Sequence, residues 1–253
     1  MDFIFAIVFG LMVGSFLNVC IYRIPRNESI IFPRSHCTNC NHQIKSWENI
    51  PVISFLFLRG QCSNCKESIS LRYPLIEIIN AFLFAILYGQ YGLTIDFIIA
   101  AFVSSTILII TVIDIDYLII PNRLLLIGII PASYMIISGG IQNSYQHFIG
   151  AFGLSMGILA IGMVGNIAFK KESMGMGDVK YAALIGLLLG WKAGLLAVFL
   201  AFLISALLIL ILMPFGKVSI GDRIPFGPFL GVGTLISMLW GPNIITLYLK
   251  LVF

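Results

Sequence analysis

The chain alternates between long apolar runs and short polar interruptions. Eight runs stand out, at 3–22, 74–92, 95–115, 119–138, 145–169, 178–190, 192–213 and 227–249. Most approach or exceed the roughly 18 residues that mark a membrane-crossing helix. An open sheet cannot satisfy its backbone in hydrocarbon, so the runs predict an all-α polytopic membrane protein, a bundle of about eight transmembrane helices. The sixth run is the weak one. Residues 178–190 make only about 20 Å of helix against a hydrocarbon core of roughly 30 Å. It either starts inside the membrane, continues past Gly190 or fuses with the seventh.

Composition agrees with this reading. Of the 253 residues, 59% are hydrophobic and 10% are charged, against roughly 25% charged in a soluble domain. The first run follows Asp2 rather than a Lys or Arg, and Arg23 and Arg26 come after it. That order predicts a retained first helix rather than a cleaved signal.

Charge sets the orientation. With eight spans and the 23–73 loop inside, the cytoplasmic basic residues are Arg23, Arg26, Arg34, Lys45, Arg59, Lys66, Arg72, Arg123, Lys170, Lys171, Lys180, Lys217 and Arg223. Those are 13 of the 15; only Lys192 and Lys250 fall outside. The positive-inside rule therefore places both termini outside. It also favours two spans between 178 and 213, because a single span would carry Lys217 and Arg223 across. A net charge of +4 is explained by membrane orientation, with the lipid bilayer as partner and no nucleic acid.

The expected organisation has three parts: a first transmembrane helix at 1–24, a cytoplasmic four-cysteine domain at 25–73 and a helical membrane domain at 74–253. The middle part is too small for a conventional core and calls for a staple. Cys37-Thr38-Asn39-Cys40 and Cys62-Ser63-Asn64-Cys65 supply one, as two C-x-x-C pairs with 21 residues between them. Such pairs place four thiolates for tetrahedral, structural zinc. Disulfides would suit an oxidising compartment, which the charge argument does not give. His36 and His42 beside the first pair are expected to be exposed loop residues, and Cys20 a packing residue in the first helix.

Acidic residues in apolar runs are costly and usually functional. Asp96 is expected to start the third helix, where the helix dipole favours it. Glu77 is expected to pair with a cation or another span. Asp114 and Asp116 end the third run, and residues two apart on a helix do not share a face. One can face the bundle while the other faces headgroups or water; periodicity does not say which. Asp178 follows Gly175-Met176-Gly177 and opens the sixth run, where an N-cap role competes with a chemical one. Two aspartates from different spans thus reach the same side at similar depth. Carboxylates brought close cannot both ionise cheaply and share a proton. One can then deprotonate water while the other donates to a scissile carbonyl, which is aspartic-protease chemistry. A proton relay in a transporter would use such a pair as well.

Six ordered motifs carry a resemblance that spans nearly the whole chain. They are Gly14-Ser15-Phe16-Leu17-Asn18-Val19-Cys20-Ile21-Tyr22-Arg23-Ile24-Pro25, the cysteine pairs flanking Trp47-Glu48-Asn49-Ile50-Pro51, Arg72-Tyr73-Pro74-Leu75-Ile76-Glu77, the aspartate segment 114–122, Gly175-Met176-Gly177-Asp178, and Pro225-Phe226-Gly227-Pro228. In this order the sequence resembles the type IV prepilin peptidases. The resemblance implies that Asp114 and Asp178 are catalytic and that Asp116 is a neighbour. It implies a multi-pass enzyme of the bacterial cytoplasmic (inner) membrane, with its active site at the cytoplasmic face. Its substrates would be type IV prepilins or pseudopilins, cleaved after a glycine. It also implies N-methylation of the new N-terminus with S-adenosylmethionine, an activity associated with members carrying the cysteine region; no residue here is assigned to that cofactor. The alternatives are another Gly-x-Gly-Asp intramembrane protease, which the cysteine pairs argue against, and a proton-coupled transporter, for which no internal repeat is found.

Overall fold

A computed structural model describes residues 1–140, 144–170, 174–216 and 224–252. Lys171, Lys217 and Arg223, which enter the charge argument, lie outside the described residues. The helices are α1 (Asp2–Arg23), α2 (Ile53–Phe57), α3 (Arg72–Tyr91), α4 (Ile95–Tyr117), α5 (Asn122–Ile127), α6 (Ile129–Ser138), α7 (Ser144–Phe169), α8 (Met176–Leu212) and α9 (Gly227–Val252). Among the described residues there is no strand, only two isolated bridges in the cysteine segment, His36 to Gln43 and Gln61 to Ser68. The chain packs as two units, Met1–Ile109 and Ile110–Phe253, with the division falling inside α4.

In the first unit α1 and α3 run antiparallel. Asn80 on α3 is fully buried and donates from Nδ2 to the Gly10 carbonyl at 2.8 Å, while its Oδ1 accepts from the Ser105 hydroxyl of α4 at 3.1 Å. Asn18 donates to the Tyr73 carbonyl at 3.1 Å. Without water to compete, such bonds are how apolar helices fix their register. Phe84 and Phe97 add an edge-to-face pair at 5.9 Å between α3 and α4.

Glu77, also on α3, is buried and accepts the Val52 backbone N–H at 2.7 Å. It therefore ties the loop between the cysteine pairs to a membrane helix through a backbone donor, where the sequence suggested a cation or another span.

The second unit resolves the short sixth run. α8 is continuous from residue 176 to 212 except at Gly190, whose φ of 73° and ψ of −180° are not helical. A Cβ placed on Gly194 would lie 3.6 Å from the Gly186 Cα, whereas residues eight apart in one helix are separated by about 12 Å. The chain therefore doubles back at Gly190, and α8 is two antiparallel arms. Among the described residues six helices are long and apolar enough to cross a membrane, including the Met176–Phe215 segment that holds both arms, and Asn122–Ser138 is a shorter apolar helix. The eight apolar runs of the sequence thus map onto five single long helices, two arms and one short, broken helix.

The reversal sets how α7 and α9 pack on the two arms. His147 on α7 meets the Leu187 carbonyl at 2.8 Å, next to the close approach of Gly150 and Gly186. The second arm runs against α9, with the Ser237 hydroxyl donating to the Ala193 carbonyl at 2.6 Å and Phe202 against Phe226 at 4.8 Å. The starts of α8 and α9 consequently share one end of the unit.

Alanine at Gly190 meets no tight neighbour, since the nearest atom to a new Cβ is 3.8 Å away in Gln146. Its cost is purely the backbone conformation, which only glycine adopts readily. Gly190→Ala is expected to destabilise the protein by about 1–3 kcal/mol, read as a lower melting temperature in detergent. An unchanged melt would show that the reversal does not need this conformation.

Candidate functional site

The end of α4, the start of α5 and the start of α8 surround a cavity of about 310 Å³ lined by Asp114, Asp178, Asn122, Lys180 and the segment Leu118–Ile120. Burial separates the two aspartates that periodicity left tied. Asp114 is 5% exposed, while Asp116 is exposed on another face of α4. The buried Asp114 Oδ2 accepts the Gly227 N–H at 2.9 Å. The first N–H groups of a helix have no partner inside it, and a carboxylate there also complements the dipole. Asp114 thus closes the start of α9. Only glycine permits the approach, because a Cβ on Gly227 would sit 2.7 Å from that oxygen.

Asp178 is half-buried and lies at the third position of α8, not at its cap. The cap is Gly175, whose N–H donates to Asp178 Oδ2 at 3.3 Å while its carbonyl accepts the Asp178 N–H at 3.1 Å. The Asp178 carboxylate supplies the N3 half of a capping box, while the glycine, having no side chain, accepts through its backbone carbonyl instead. Capping and cavity lining are therefore compatible, since the carboxylate closes the turn with one oxygen and still borders the cavity. Among the lining residues, the exposed Lys180 donates to Asn122 Oδ1 at 3.1 Å, joining α8 to α5. Sequence reasoning did not single out this bridge or the Gly227 N–H. The only local signal for the second was a glycine between two prolines, in Pro225-Phe226-Gly227-Pro228.

The cavity can bring one buried and one half-buried carboxylate to bear on a polar ligand and a water. Among the described residues its lining contains no aromatic side chain.

The cysteines form a second, separate cluster in the first unit. Their four Sγ atoms lie within 4.8 Å of one another, with Cys37 to Cys65 at 3.8 Å and Cys40 to Cys62 at 3.9 Å. A tetrahedron with Zn–S bonds of about 2.3 Å has sulfurs about 3.8 Å apart, so the set fits a metal such as zinc. Two matching turns build it. Cys37 N–H donates to the His42 carbonyl and Cys62 N–H to the Glu67 carbonyl, with Asn41 and Lys66 at φ of 56° and 61° after each pair.

The thiols are poised unequally. The His42 backbone N–H draws the Cys40 thiol down to about 6, and the N–H groups of Cys65 and Asn64 draw Cys62 down. At Cys65 the Glu67 N–H pulls the same way. Desolvation and the thiols of Cys40, Cys62 and Cys37 overcome it and hold that proton up to about 11. A metal ion bound by the four sulfurs would favour their thiolate form. His36 is exposed and bonds the Arg34 carbonyl at 3.1 Å, while His42 lies 3.7 Å from Glu48.

Residues 8–91 match the bacterial peptidase A24 N-terminal domain, and residues 101–210 match the type IV leader peptidase family. The prepilin leader peptidase/N-methyltransferase of Stutzerimonas stutzeri is 34% identical over 271 residues, covering 97% of this chain and 93% of its own. The protein of the same name from Pseudomonas aeruginosa is 32% identical over 274 residues, with 96% and 92% covered. The one from Bacillus subtilis is 34% identical over 244 residues, with 96% of each covered. No solved structure matches the chain.

Gly227→Ala is expected to displace the Asp114 carboxylate and strip a buried acceptor of its donor. The expected loss is about 1–3 kcal/mol, read as a lower melting temperature in detergent. Unchanged melting would mean that the bond between Asp114 and α9 carries no stability.

Proposed function

The chain belongs to the type IV leader peptidase family, and from that premise we propose that it is a membrane aspartyl endopeptidase of prepilins that also N-methylates its product. Asp114 and Asp178 are the catalytic pair. The observation that carries this reading is that these two aspartates, from different helices, line one cavity, while Asp116 is exposed outside it. In the reaction, one carboxylate takes a proton from a water as the water attacks the scissile carbonyl. The other, protonated, donates to the carbonyl oxygen. Collapse of the tetrahedral intermediate returns a proton to the leaving amine, releasing the leader and a new N-terminus without a covalent enzyme intermediate.

Substrates are type IV prepilins or pseudopilins cut after a glycine, with the basic leader in the cytoplasm and the apolar stem in the bilayer. The pair belongs at the cytoplasmic face, a placement supported by the 13 basic residues that the charge pattern assigns to that side. By role, residues 25–73 form the metal-stapled domain and residues 74–253 the membrane domain bearing the protease site. Zinc held by Cys37, Cys40, Cys62 and Cys65 is structural, because four thiolates leave no open position. Methyl transfer would draw on S-adenosylmethionine. The cavity with its two carboxylates suits a peptide and water, and no residue is assigned to that donor.

Asp114→Ala and Asp178→Ala should each abolish leader cleavage of a co-expressed prepilin while the protein still inserts in the membrane, and Asp116→Asn should retain most of it. Cleavage retained by both alanine variants would refute the pair. Purified protein should contain about one zinc per chain by elemental analysis, lost when Cys37 and Cys40 are both changed to serine. Metal-free wild-type protein with an intact fold would refute the staple.

A further inference from the structure

The segment after α1 presents a short apolar loop that neither the cleavage site nor the metal cluster uses. Arg23, the last residue of α1, is 6% exposed. Its guanidinium donates from Nη1 to the Ser29 carbonyl at 2.8 Å and from Nη2 to the Pro33 carbonyl at 2.7 Å. Between those two anchors the Ser29 hydroxyl accepts the N–H groups of Ile31 and Phe32, each at 3.3 Å. The loop is thus tied at both ends, and its three apolar side chains turn outward. Ile30 is 40% exposed, Ile31 71% and Phe32 72%.

We infer that Ile30, Ile31 and Phe32 insert into the headgroup–acyl boundary of the leaflet in which α1 ends. Position supports this, because the anchors belong to the terminal residue of a helix long and apolar enough to cross the membrane. A loop pinned there cannot stand far from the bilayer surface. The neighbouring side chains carry the chemistry of that level. Arg26 lies 3.9 Å over the exposed Tyr22 ring and donates to the Tyr22 carbonyl at 2.6 Å. Tyrosine with arginine at a helix end is the usual composition of the membrane interface. Arg26 before the loop and the exposed Arg34 after it complement anionic headgroups.

An apolar tip with basic flanks lying about 5–10 Å into the interface is how amphipathic segments attach. Cys37 follows Phe32 by five residues, so the attachment sets the height of the metal cluster above the bilayer. This inference does not depend on which peptide is cleaved.

The test uses the full chain in vesicles of phosphatidylglycerol and phosphatidylcholine, with a polarity-sensitive fluorescent amino acid in place of Phe32. A control places the probe at Asn39, an exposed position of the first cysteine turn. The Phe32 probe should lose emission when the acyl chains carry bromine near the headgroup and should be shielded from aqueous iodide; the Asn39 probe should behave oppositely. Quenching of the Phe32 probe by iodide and not by bromolipid would overturn the inference. Shielding from both quenchers would overturn it too, by showing that protein covers the loop. Ile31, equally exposed, takes the same probe if the Phe32 variant does not accumulate.

Discussion

The reversal at Gly190 is the constraint on which the site depends. A continuous helix through residues 176–212 would send the chain across once and leave α9 to start at the far end. Because the chain folds back, the second arm returns beside the first, and α9 starts where α8 started. Gly227 then reaches Asp114, and the turn before Asp178 faces the same end. One backbone conformation open to glycine thus decides whether Gly227 can reach the carboxylate of Asp114.

Charged and strongly polar groups are few in this chain, and several of the buried ones fix one helix against another. Asn80 and Asn18 do so in the first unit by bonding backbone or hydroxyl groups, and Glu77 holds the loop between the cysteine pairs to α3. Asp114 does so in the second by closing α9. In an apolar surrounding an unpaired polar group is costly, so each such bond discriminates strongly between helix registers. Asp114 has a double part. The backbone N–H that holds one of its oxygens also fixes the carboxylate in orientation at the cavity, which is preorganisation in the sense that catalysis requires.

Much of this was legible in the sequence, and the misses have physical causes. The apolar runs predicted their helices to within a few residues, because length and hydropathy are local properties. The cysteine cluster was legible because each C-x-x-C pair forms its own turn. Asp114 and Asp116 stayed tied because they sit among apolar residues on every face, so no periodicity marks an interior side; burial against a distant part of the chain separated them. Asp178 was weighed as a cap when the cap is three residues earlier. The bridge between Lys180 and Asn122 and the N–H of Gly227 involve residues 58 and 113 positions apart in sequence, and no local pattern encodes either.

The account stands or falls on whether Asp114 and Asp178 act on one substrate together. The most direct measurement is a structure of the protein bound to a prepilin-derived peptide whose scissile amide is replaced by a hydroxyethylene group. The account predicts the hydroxyl within hydrogen-bonding distance of both carboxylates, with Gly227 still holding Asp114. An inhibitor hydroxyl that meets only one aspartate, or that binds away from the cavity, would contradict it.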